Sequence, residues 1–381
     1  MTRRRAFVHH LRAFVHSPAI ALRLEWRTSG GGAVQERRAP CPPSLRGLSP
    51  LSLRFEAIPV RYRPLGKTGM SISVVAYGVS PVGGVFGDVA ESEGIAALHR
   101  AIDLGINYFD VAPMYGETLA ETRLGKAMKG KRDQVFLATK CCRYSETAFD
   151  FSAKRVRASI DESLARLQTD HVDVFQVHDI EFGDKRQVLE EAIPAALEAK
   201  RAGKARFVGI TGLPVRYLRH IAEQVNIDTL LSWAHYDLLD DEMDVYLTPF
   251  CRERGIGLIN ASPLHQRLLT EKGPPPWHRS PKEVLELVPK VAARCRARGV
   301  DIADVAMRFA LDHPTVATTI VGMSKVAHVE SNIRALDLKI DPALMREVVA
   351  MLAPVRNRMW FEGKPENNLP PSAVPHLQKN G

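Results

Sequence analysis

Short runs rich in apolar and β-branched residues alternate eight times with longer amphipathic segments in this 381-residue chain. The runs have the length of strands and are Ile72–Tyr77, Ile106–Asp110, Val135–Lys140, Val172–His178, Phe207–Thr211, Thr229–Trp233, Gly257–Ala261 and Ala317–Val321. The other segments predict helices at Glu91–Leu104, Ala120–Met128, Ala153–Leu167, Lys185–Ala202, Val215–Gln224, Asp240–Arg254, Pro281–Leu311 and Val326–Ala335. Strands that are apolar along most of their length are typical of a parallel sheet covered on both faces.

Eight strand-helix units close most simply into a (β/α)8 TIM barrel, an α/β fold that commonly forms one domain of about 250 residues. The alternative is an open doubly wound sheet, which normally carries a glycine-rich phosphate turn between its first strand and a helix. Gly78-Val79-Ser80-Pro81-Val82-Gly83-Gly84 lacks the GxGxxG spacing of that turn. We therefore expect a single barrel over residues 61–355, followed by a tail, residues 356–381, that is a candidate cover for the substrate site.

The first 60 residues differ in composition from the rest of the chain. They hold ten Arg, no Lys and three acidic residues, a net charge of +7, whereas 42 basic and 40 acidic residues elsewhere leave +2. We expect this Arg-rich leader to be disordered, and its composition is also typical of an organelle-targeting peptide. A nearly neutral folded region gives weak grounds for nucleic-acid binding.

The cysteine pattern indicates neither a metal site nor a disulfide framework. The five cysteines, Cys41, Cys141, Cys142, Cys251 and Cys295, form no CxxC or Cys/His spacing, and their number is odd. A reducing compartment fits best, so we expect a cytoplasmic protein unless the leader directs it to an organelle. Cys141 and Cys142 are either small packing residues or, beside Lys140, thiols of increased reactivity. No run reaches the roughly 18 apolar residues of a membrane span.

Four polar side chains stand at ends of consecutive predicted strands. Asp110, Lys140 and His178 each close a strand, and Tyr115 follows Asp110 in the next loop. In a barrel of this kind the active site lies at the carboxyl ends of the strands, so the four residues should meet at one mouth. A single such residue is usually structural, but burying four together without a function would be costly.

This combination is suited to proton transfer by a phenol. Tyr115 has an ordinary pKa near 10, and about 3 to 4 kcal/mol from its neighbours would bring it to neutral pH. Lys140 can stabilise the phenolate, and Asp110 can keep the buried ammonium charged. His178 is placed to hydrogen-bond a substrate oxygen. Because no side chain stores a hydride, a redox reaction here needs a nicotinamide or a flavin.

These residues resemble the Asp-Tyr-Lys-His tetrad of the aldo-keto reductase superfamily, and the likeness covers about residues 61–360. Motifs similar to those of its plant-type branch that oxidises L-galactose include His178-Asp179-Ile180-Glu181-Phe182-Gly183, Gly209-Ile210-Thr211-Gly212-Leu213-Pro214, Ala261-Ser262-Pro263-Leu264 and Val321-Gly322-Met323-Ser324. The resemblance implies NAD-linked oxidation of L-galactose at C1 to L-galactono-1,4-lactone, a step in ascorbate synthesis. It also implies that Tyr115 is the general acid/base.

The resemblance further implies a cofactor site without a Rossmann domain. It assigns the nicotinamide carboxamide to Thr211 and Gly212, the ring to Trp233, the pyrophosphate to Ser262, Pro263 and Leu264, and the adenosine end to Gly322, Ser324 and Asn332. Relatives that prefer NADP place a Lys and an Arg about where this chain has Gly322 and His328. Without those two side chains, the 2'-phosphate of NADP loses two charge-assisted hydrogen bonds, worth roughly 1.5 to 3 kcal/mol each. We therefore expect NAD as the cofactor.

A few positions depart from the pattern of the branch. His265-Gln266-Arg267 replaces a small glycine-containing turn, and Cys142 replaces a glycine. Arg267 either clasps the pyrophosphate or points into solvent. Trp233 either contacts the nicotinamide or is a core residue.

Two other functions stay open on the sequence alone. The chain could oxidise another aldose or pyridoxal, or it could be a noncatalytic reductase-like subunit that regulates a partner. For the leading interpretation we expect a small aldose as the binding partner, no nucleic acid or membrane, and a monomer or weak homodimer.

Overall fold

The computed structural model describes residues 59–370 and residue 372. We predicted disorder or a targeting role for the leader. Its residues up to position 58 lie outside the described part of the chain. The same holds for residue 371 and for the last nine residues of the tail.

Eight parallel strands form a closed barrel, which confirms the predicted fold and excludes the doubly wound sheet. In chain order these strands are β3 (Val75–Gly78), β4 (Tyr108–Asp110), β5 (Phe136–Cys141), β6 (Val172–Val177), β7 (Ala205–Gly212), β8 (Thr229–Trp233), β9 (Gly257–Ala261) and β10 (Thr318–Gly322). Closure occurs where β10 pairs with β3, with Ile320 opposite Ala76. Buried residues facing outward from the strands pack against the helices and form the largest apolar core.

A short antiparallel hairpin precedes the barrel, β1 (Tyr62–Pro64) and β2 (Ser71–Ser73). The prediction of one strand over Ile72–Tyr77 is therefore wrong, because β2 pairs with β1 and only β3 enters the barrel. A continuous apolar run does not reveal such a change of pairing partner. Leu65 and Met70 of the hairpin are buried among inward-facing barrel residues such as Val174, so they close the bottom of the barrel.

Most predicted helices are present, with some divided. The helices are α1 (Glu91–Asp103), α2 (Leu119–Met128), α3 (Ala153–Leu167), α4 (Lys185–Gln187), α5 (Ile193–Arg201), α6 (Val215–Ala222), α7 (Glu242–Tyr246), α8 (Thr248–Arg254), α9 (Lys282–Ala297), α10 (Ile302–Leu311), α11 (Val326–Arg334) and α12 (Pro342–Leu352). Short 3-10 turns occur at Ser80–Gly83, Arg132–Gln134, Ile180–Phe182, Ala353–Val355 and Pro365–Asn367, and a π-helical turn at Val188–Ala192 joins α4 to α5. No helix in the described part is both long and apolar enough to cross a membrane.

The predicted helix over Pro281–Leu311 is two helices. Gly299 adopts a φ of 72° between them, and the Asp301 side chain accepts a hydrogen bond from the backbone N–H of Ala303 at the start of α10. These are the stop and start signals of helices, and they outweigh the apolar period that runs through both. The predicted helix over Asp240–Arg254 is likewise divided near Leu247.

Helix α12 was not predicted. It packs its apolar face, including Leu344 and Val348, in a second core shared with α9 and α10. The tail leaves this helix near Val355 and continues along the barrel to residue 370.

Candidate active site

The three polar residues predicted at strand ends lie at the same end of the barrel. Asp110 is the last residue of β4, Lys140 is the next-to-last residue of β5, and His178 directly follows β6. The predicted ends differ from the observed ones by one residue at Lys140 and His178. Since the three strands are neighbours and parallel, their side chains share one sector of the mouth.

A tight loop after β4 carries Tyr115 to the same sector. The Tyr115 backbone N–H donates to the Ala112 carbonyl at 3.1 Å. Gly116 follows with a φ of 62°, and a Cβ atom there would lie 2.0 Å from the Gly83 carbonyl oxygen. Only glycine fits this approach of two backbones, so the Tyr-Gly pair fixes where the phenol enters the site.

Lys140 connects the phenol to the carboxylate. Its Nζ donates to Asp110 Oδ1, to the Val111 carbonyl at 2.9 Å and to the Tyr115 hydroxyl at 3.3 Å. These contacts use all three ammonium protons, and Lys140 is only 1% exposed. Burial works to lower the pKa of Lys140, but Asp110 and Tyr115 outweigh it and raise that pKa, so the side chain stays charged.

The phenol itself responds mainly to its burial. Burial raises the pKa of Tyr115 above its usual value, Lys140 works to lower it, and Asp110 works to raise it. The lowering that the sequence led us to expect from Lys140 is therefore present but is outweighed within the protein alone. A bound cationic nicotinamide would add a second positive charge near the phenol and act in the same direction as Lys140.

His178 lies beside Tyr115 as an uncharged imidazole. The two rings meet edge to face with centroids 5.9 Å apart, and His178 is 4% exposed. Burial lowers the pKa of His178 to about 3, although Asp179 opposes the shift. The ring nitrogen Nδ1 is buried and has no partner within the described chain. A neutral imidazole of this kind suits hydrogen bonding to a substrate oxygen better than proton transfer.

Three supporting residues were missed by the sequence reasoning. Gln176 donates from Nε2 to Asp110 Oδ2 at 2.9 Å and so fixes the second carboxylate oxygen. Arg143 and Asp179 form a largely buried ion pair beside His178. A signal in the sequence was Gln176, a polar residue that stands between Phe175 and Val177 in the predicted strand.

The residues proposed for the cofactor lie at the ends of the other neighbouring strands. Thr211 and Gly212 end β7 and Trp233 ends β8, whereas Ser262, Pro263 and Leu264 follow β9. Gly322 ends β10, with Ser324 just beyond it and Asn332 in α11. The backbone N–H of Ser262 donates to the Ile320 carbonyl at 3.3 Å, which joins the β9 and β10 ends.

Most of these positions could hold an extended nucleotide, because they offer small or hydroxyl-bearing residues around half of the mouth. At Gly322 a Cβ atom would lie 2.9 Å from Pro81 Cγ, so a side chain there would crowd the rim. Thr211 differs from the others. Its hydroxyl accepts from the Asp179 N–H at 3.1 Å and donates to Asp179 Oδ1 at 3.3 Å, so it is already engaged within the protein.

The segment His265-Gln266-Arg267 has a well-defined structure. All three residues have positive φ angles, between 47° and 78°. His265 is buried and its Nδ1 lies 2.7 Å from Asp237 Oδ2, while Arg267 Nε donates to the Gly273 carbonyl at 3.1 Å. Arg267 is therefore tied to its own loop, and a contact of its remaining N–H groups with a pyrophosphate stays a prediction.

The two adjacent thiols favour a packing role. Cys141 and Cys142 are fully buried with their Sγ atoms 3.6 Å apart, and burial raises the pKa of Cys142 well above its usual value. A thiol in this setting is rarely a thiolate and reacts slowly. Cys142 has a φ of 73°, in the left-handed region that favours glycine.

The tail lies beside this mouth. Trp360 is 8% exposed and packs 6.0 Å from Trp233 and 5.3 Å from His265, as measured between ring centroids. Further along, Asn367 Nδ2 donates to the carbonyls of Glu181 and Gly183 at 2.9 and 3.0 Å. The described part of the tail thus runs from the β8 end to the loop after β6, which carries Asp179.

Comparison with known proteins agrees with this architecture. Residues 74–353 match the model of the Aldo/keto reductase family. L-galactose dehydrogenase of Arabidopsis thaliana is 43% identical over 318 residues, covering 81% of this chain and 99% of that protein. D-threo-aldose 1-dehydrogenase of a Pseudomonas species is 29% identical over 309 residues, covering 74% and 94%.

A solved structure shows the same fold. The aldo-keto reductase AKR11C1 of Bacillus halodurans, in its holo form, superposes with a TM-score of 0.65 at 24% identity, covering 81% of this chain and all of that one. The family match extends over most of the chain, and the barrel and the polar groups at its mouth are those that the sequence led us to expect. The chain therefore belongs to the aldo/keto reductase family.

Proposed function

We propose that this protein is an NAD-dependent L-galactose 1-dehydrogenase, which oxidises L-galactose at C1 to L-galactono-1,4-lactone in ascorbate synthesis. The observation that carries the proposal is the contact between the Lys140 ammonium and the Tyr115 hydroxyl, 3.3 Å apart, in a mouth lined by uncharged His178. The 43% identity to a plant L-galactose dehydrogenase over nearly its whole length supports the choice of sugar.

In the oxidative direction, the Tyr115 oxygen accepts the proton of the C1 hydroxyl. Lys140 stabilises the negative charge on the phenol, and Asp110 holds Lys140 in place and keeps it charged. His178 hydrogen-bonds an oxygen of the sugar and sets the orientation of C1. A bound nicotinamide supplies the acceptor for the hydride that leaves C1.

The cofactor assignment rests on the ends of β7 to β10. The proposed contacts are those of Thr211, Gly212, Trp233, Ser262, Pro263, Leu264, Gly322, Ser324 and Asn332. NAD is favoured over NADP because position 328 is a histidine and not an arginine. Burial lowers the pKa of the His328 imidazole, so it is uncharged at neutral pH. Lys325 is paired with Glu93 at 3.2 Å, which reduces its availability for a 2'-phosphate.

We place the enzyme in the cytoplasm as a monomer or weak homodimer, with the leader as the route to an organelle in the alternative case. The four cysteines of the described part are free thiols, which suits a reducing compartment. The domain organisation proposed is a leader to residue 60, a barrel over residues 61–355 and a tail that covers the substrate site.

The second enzymatic candidate is oxidation of another aldose or of pyridoxal, since a D-threo-aldose 1-dehydrogenase is 29% identical and a pyridoxal 4-dehydrogenase is 26% identical to this chain. NADH formation measured with L-galactose, L-fucose, D-arabinose and pyridoxal separates these functions. We expect the highest kcat/KM for L-galactose. A higher value for another substrate would refute the sugar assignment, and no NADH with any of them would favour a noncatalytic subunit.

A further inference from the structure

A largely buried ion pair lies directly beside His178. Arg143 Nη1 is 2.5 Å from Asp179 Oδ2, and the two side chains are 13% and 4% exposed. The same carboxylate oxygen is 3.5 Å from His178 Nε2. Asp179 is therefore in contact with both the guanidinium and the imidazole, although neither Asp179 nor Arg143 belongs to the four residues assigned to the chemistry.

The carboxylate is held from two sides. Thr211 and Asp179 exchange two hydrogen bonds, from the Asp179 N–H to the Thr211 hydroxyl at 3.1 Å and from that hydroxyl to Asp179 Oδ1 at 3.3 Å. Asp179 also has a φ of 47°, in the left-handed region. Asp tolerates this conformation better than most residues, and such positions cluster at functional sites.

Arg143 is held by an aromatic clamp. The loop after β5 folds back so that Arg143 forms an antiparallel bridge with Phe149. The rings of Phe149 and Phe182 stack with centroids 4.3 Å apart, and Arg143 Cζ lies 5.4 and 4.9 Å from them. Cation–π contacts with both rings keep the guanidinium on Asp179.

Burial is the main reason that the pKa of His178 is low, and the ion pair contributes to the balance of charge around the imidazole. A buried carboxylate at this distance attracts a proton to a histidine, and a cation on the same oxygen cancels most of that effect. Beside burial, the charged groups that act on His178 are Asp179, which favours its protonation, and Lys140 and Arg143, which oppose it. Around Arg143 the further acidic groups are Glu181 of the β6 loop and Glu362 of the tail.

We propose that Asp179 and Arg143 are positioning residues: Asp179 holds the imidazole of His178 in one orientation next to the substrate, and Arg143 offsets the charge of that carboxylate. The inference rests on the proposed role of His178 in the oxidation. Asp179 supplies the contact that fixes the ring, and Arg143 removes the proton-attracting effect of that contact. Thr211, which hydrogen-bonds Asp179, then helps to position His178 in addition to its proposed contact with the cofactor.

The test compares Arg143→Gln, Asp179→Asn and the double variant with the wild-type protein. The protonation of His178 is followed by NMR of the imidazole nitrogens as a function of pH, with His178→Gln used to assign the signal. This readout needs no substrate, so a wrong sugar assignment does not affect it. Arg157→Gln, which removes an exposed arginine from its pair with Glu198, is the matched control.

In Arg143→Gln the carboxylate of Asp179 is left uncompensated, so the pKa of His178 should rise by about 1 to 3 pH units. The double variant should lose this rise, because it removes the carboxylate charge as well. In Arg143→Gln the acid limb of kcat/KM for L-galactose should move to higher pH, and in the double variant it should return toward the wild-type position. The dissociation constant for NAD should stay within about twofold in both variants. Arg157→Gln should match the wild-type protein in every measurement.

An unchanged His178 titration in a folded Arg143→Gln protein would overturn the proposal, as would a raised pKa that persists in the double variant. If Arg143→Gln does not fold, Asp179→Asn decides. Its kcat should fall about tenfold or more as the ring loses its fixed contact, with unchanged NAD affinity. A wild-type kcat in Asp179→Asn, or an equal loss of sugar turnover and NAD binding, would show a merely structural pair.

Discussion

The Nζ atom of Lys140 lies 3.3 Å from the hydroxyl oxygen of Tyr115. Its other two protons are taken by Asp110 and by the Val111 carbonyl, so the remaining N–H faces the phenol. Lys140 is thus a positive charge in a fixed position, with one N–H left to donate to the phenol.

Lys140→Met should move the pH dependence of the oxidation to higher pH. The oxidation needs the ionised phenol, burial raises the pKa of Tyr115 and Lys140 lowers it, so the rate should rise with pH and rise later without Lys140. At neutral pH we expect kcat to fall about 10² to 10⁴-fold, the usual range for general acid/base catalysis. The measurement is a profile of kcat against pH.

Lys126→Met is the control for that experiment, since Lys126 is an exposed lysine paired with Glu91. Its profile should coincide with that of the wild-type protein. If Lys140→Met and the wild-type protein rise at the same pH, Lys140 does not act on the phenol.

Glu181→Gln should make the protein more stable in mild alkali. Glu181 is fully buried, Oε1 accepts from the Leu213 N–H at 3.0 Å and Oε2 has no partner, while burial raises the pKa of the carboxyl well above its usual value. The folded state therefore holds the proton more tightly than the unfolded chain. The stabilisation that this proton gives the fold is complete at a pH below the pKa of Glu181 in the unfolded chain. It is lost as the pH rises toward the pKa of Glu181 in the folded state.

Glutamine mimics the protonated acid, so the melting temperature of Glu181→Gln should fall less between pH 5 and pH 8 than that of the wild-type protein. A difference of about 2 °C or more corresponds to about 1 kcal/mol in a large domain. Glu190→Gln, at an exposed pair with Arg186, should not change the pH dependence. Parallel melting curves for Glu181→Gln and wild type would show that Glu181 is ionised in the fold.

Trp360→Ala should weaken sugar binding and spare the cofactor. Trp360 is nearly buried against Trp233 at the mouth, whereas its neighbour Phe361 is 77% exposed. We expect KM for L-galactose to rise about tenfold, equivalent to about 1.4 kcal/mol of lost contact, and Phe361→Ala to have no effect. An unchanged KM in Trp360→Ala, or truncation after Ala353 without loss of kcat/KM, would exclude the tail as a cover.

His328→Arg should increase the use of NADP. An arginine there could pair with the 2'-phosphate, and one charge-assisted hydrogen bond contributes roughly 1.5 to 3 kcal/mol. The wild-type protein should have the higher kcat/KM with NAD, and the variant should gain about tenfold or more with NADP. Lys272→Ala serves as the control, because Lys272 also acts electrostatically on His328. A wild-type preference for NADP that disappears in Lys272→Ala would overturn the argument from His328.

The barrel was predictable because each strand and its helix give a local signal. Asp110, Lys140 and His178 were accessible for the same reason: residues at the carboxyl ends of parallel strands must share a mouth. The hairpin formed by β1 and β2 was not, since the pairing partner of an apolar run is a property of distant residues.

The support around the site depends on contacts between loops, which sequence periodicity does not contain. Asp179 and Arg143 lie 36 positions apart and meet only because the loops after β5 and β6 are neighbours. The engagement of Thr211 with Asp179 follows from a left-handed backbone at Asp179 that its residue type permits but does not require. The balance between burial and Lys140 at Tyr115 likewise needs the packed structure.

The most direct test is NADH formation from L-galactose and NAD by the wild-type protein and by Tyr115→Phe, followed by absorbance. The phenylalanine keeps the ring and removes the oxygen that accepts the C1 proton. We predict that kcat falls about 10² to 10⁴-fold while the dissociation constant for NAD is unchanged. A Tyr115→Phe protein that oxidises L-galactose at the wild-type rate would contradict the account.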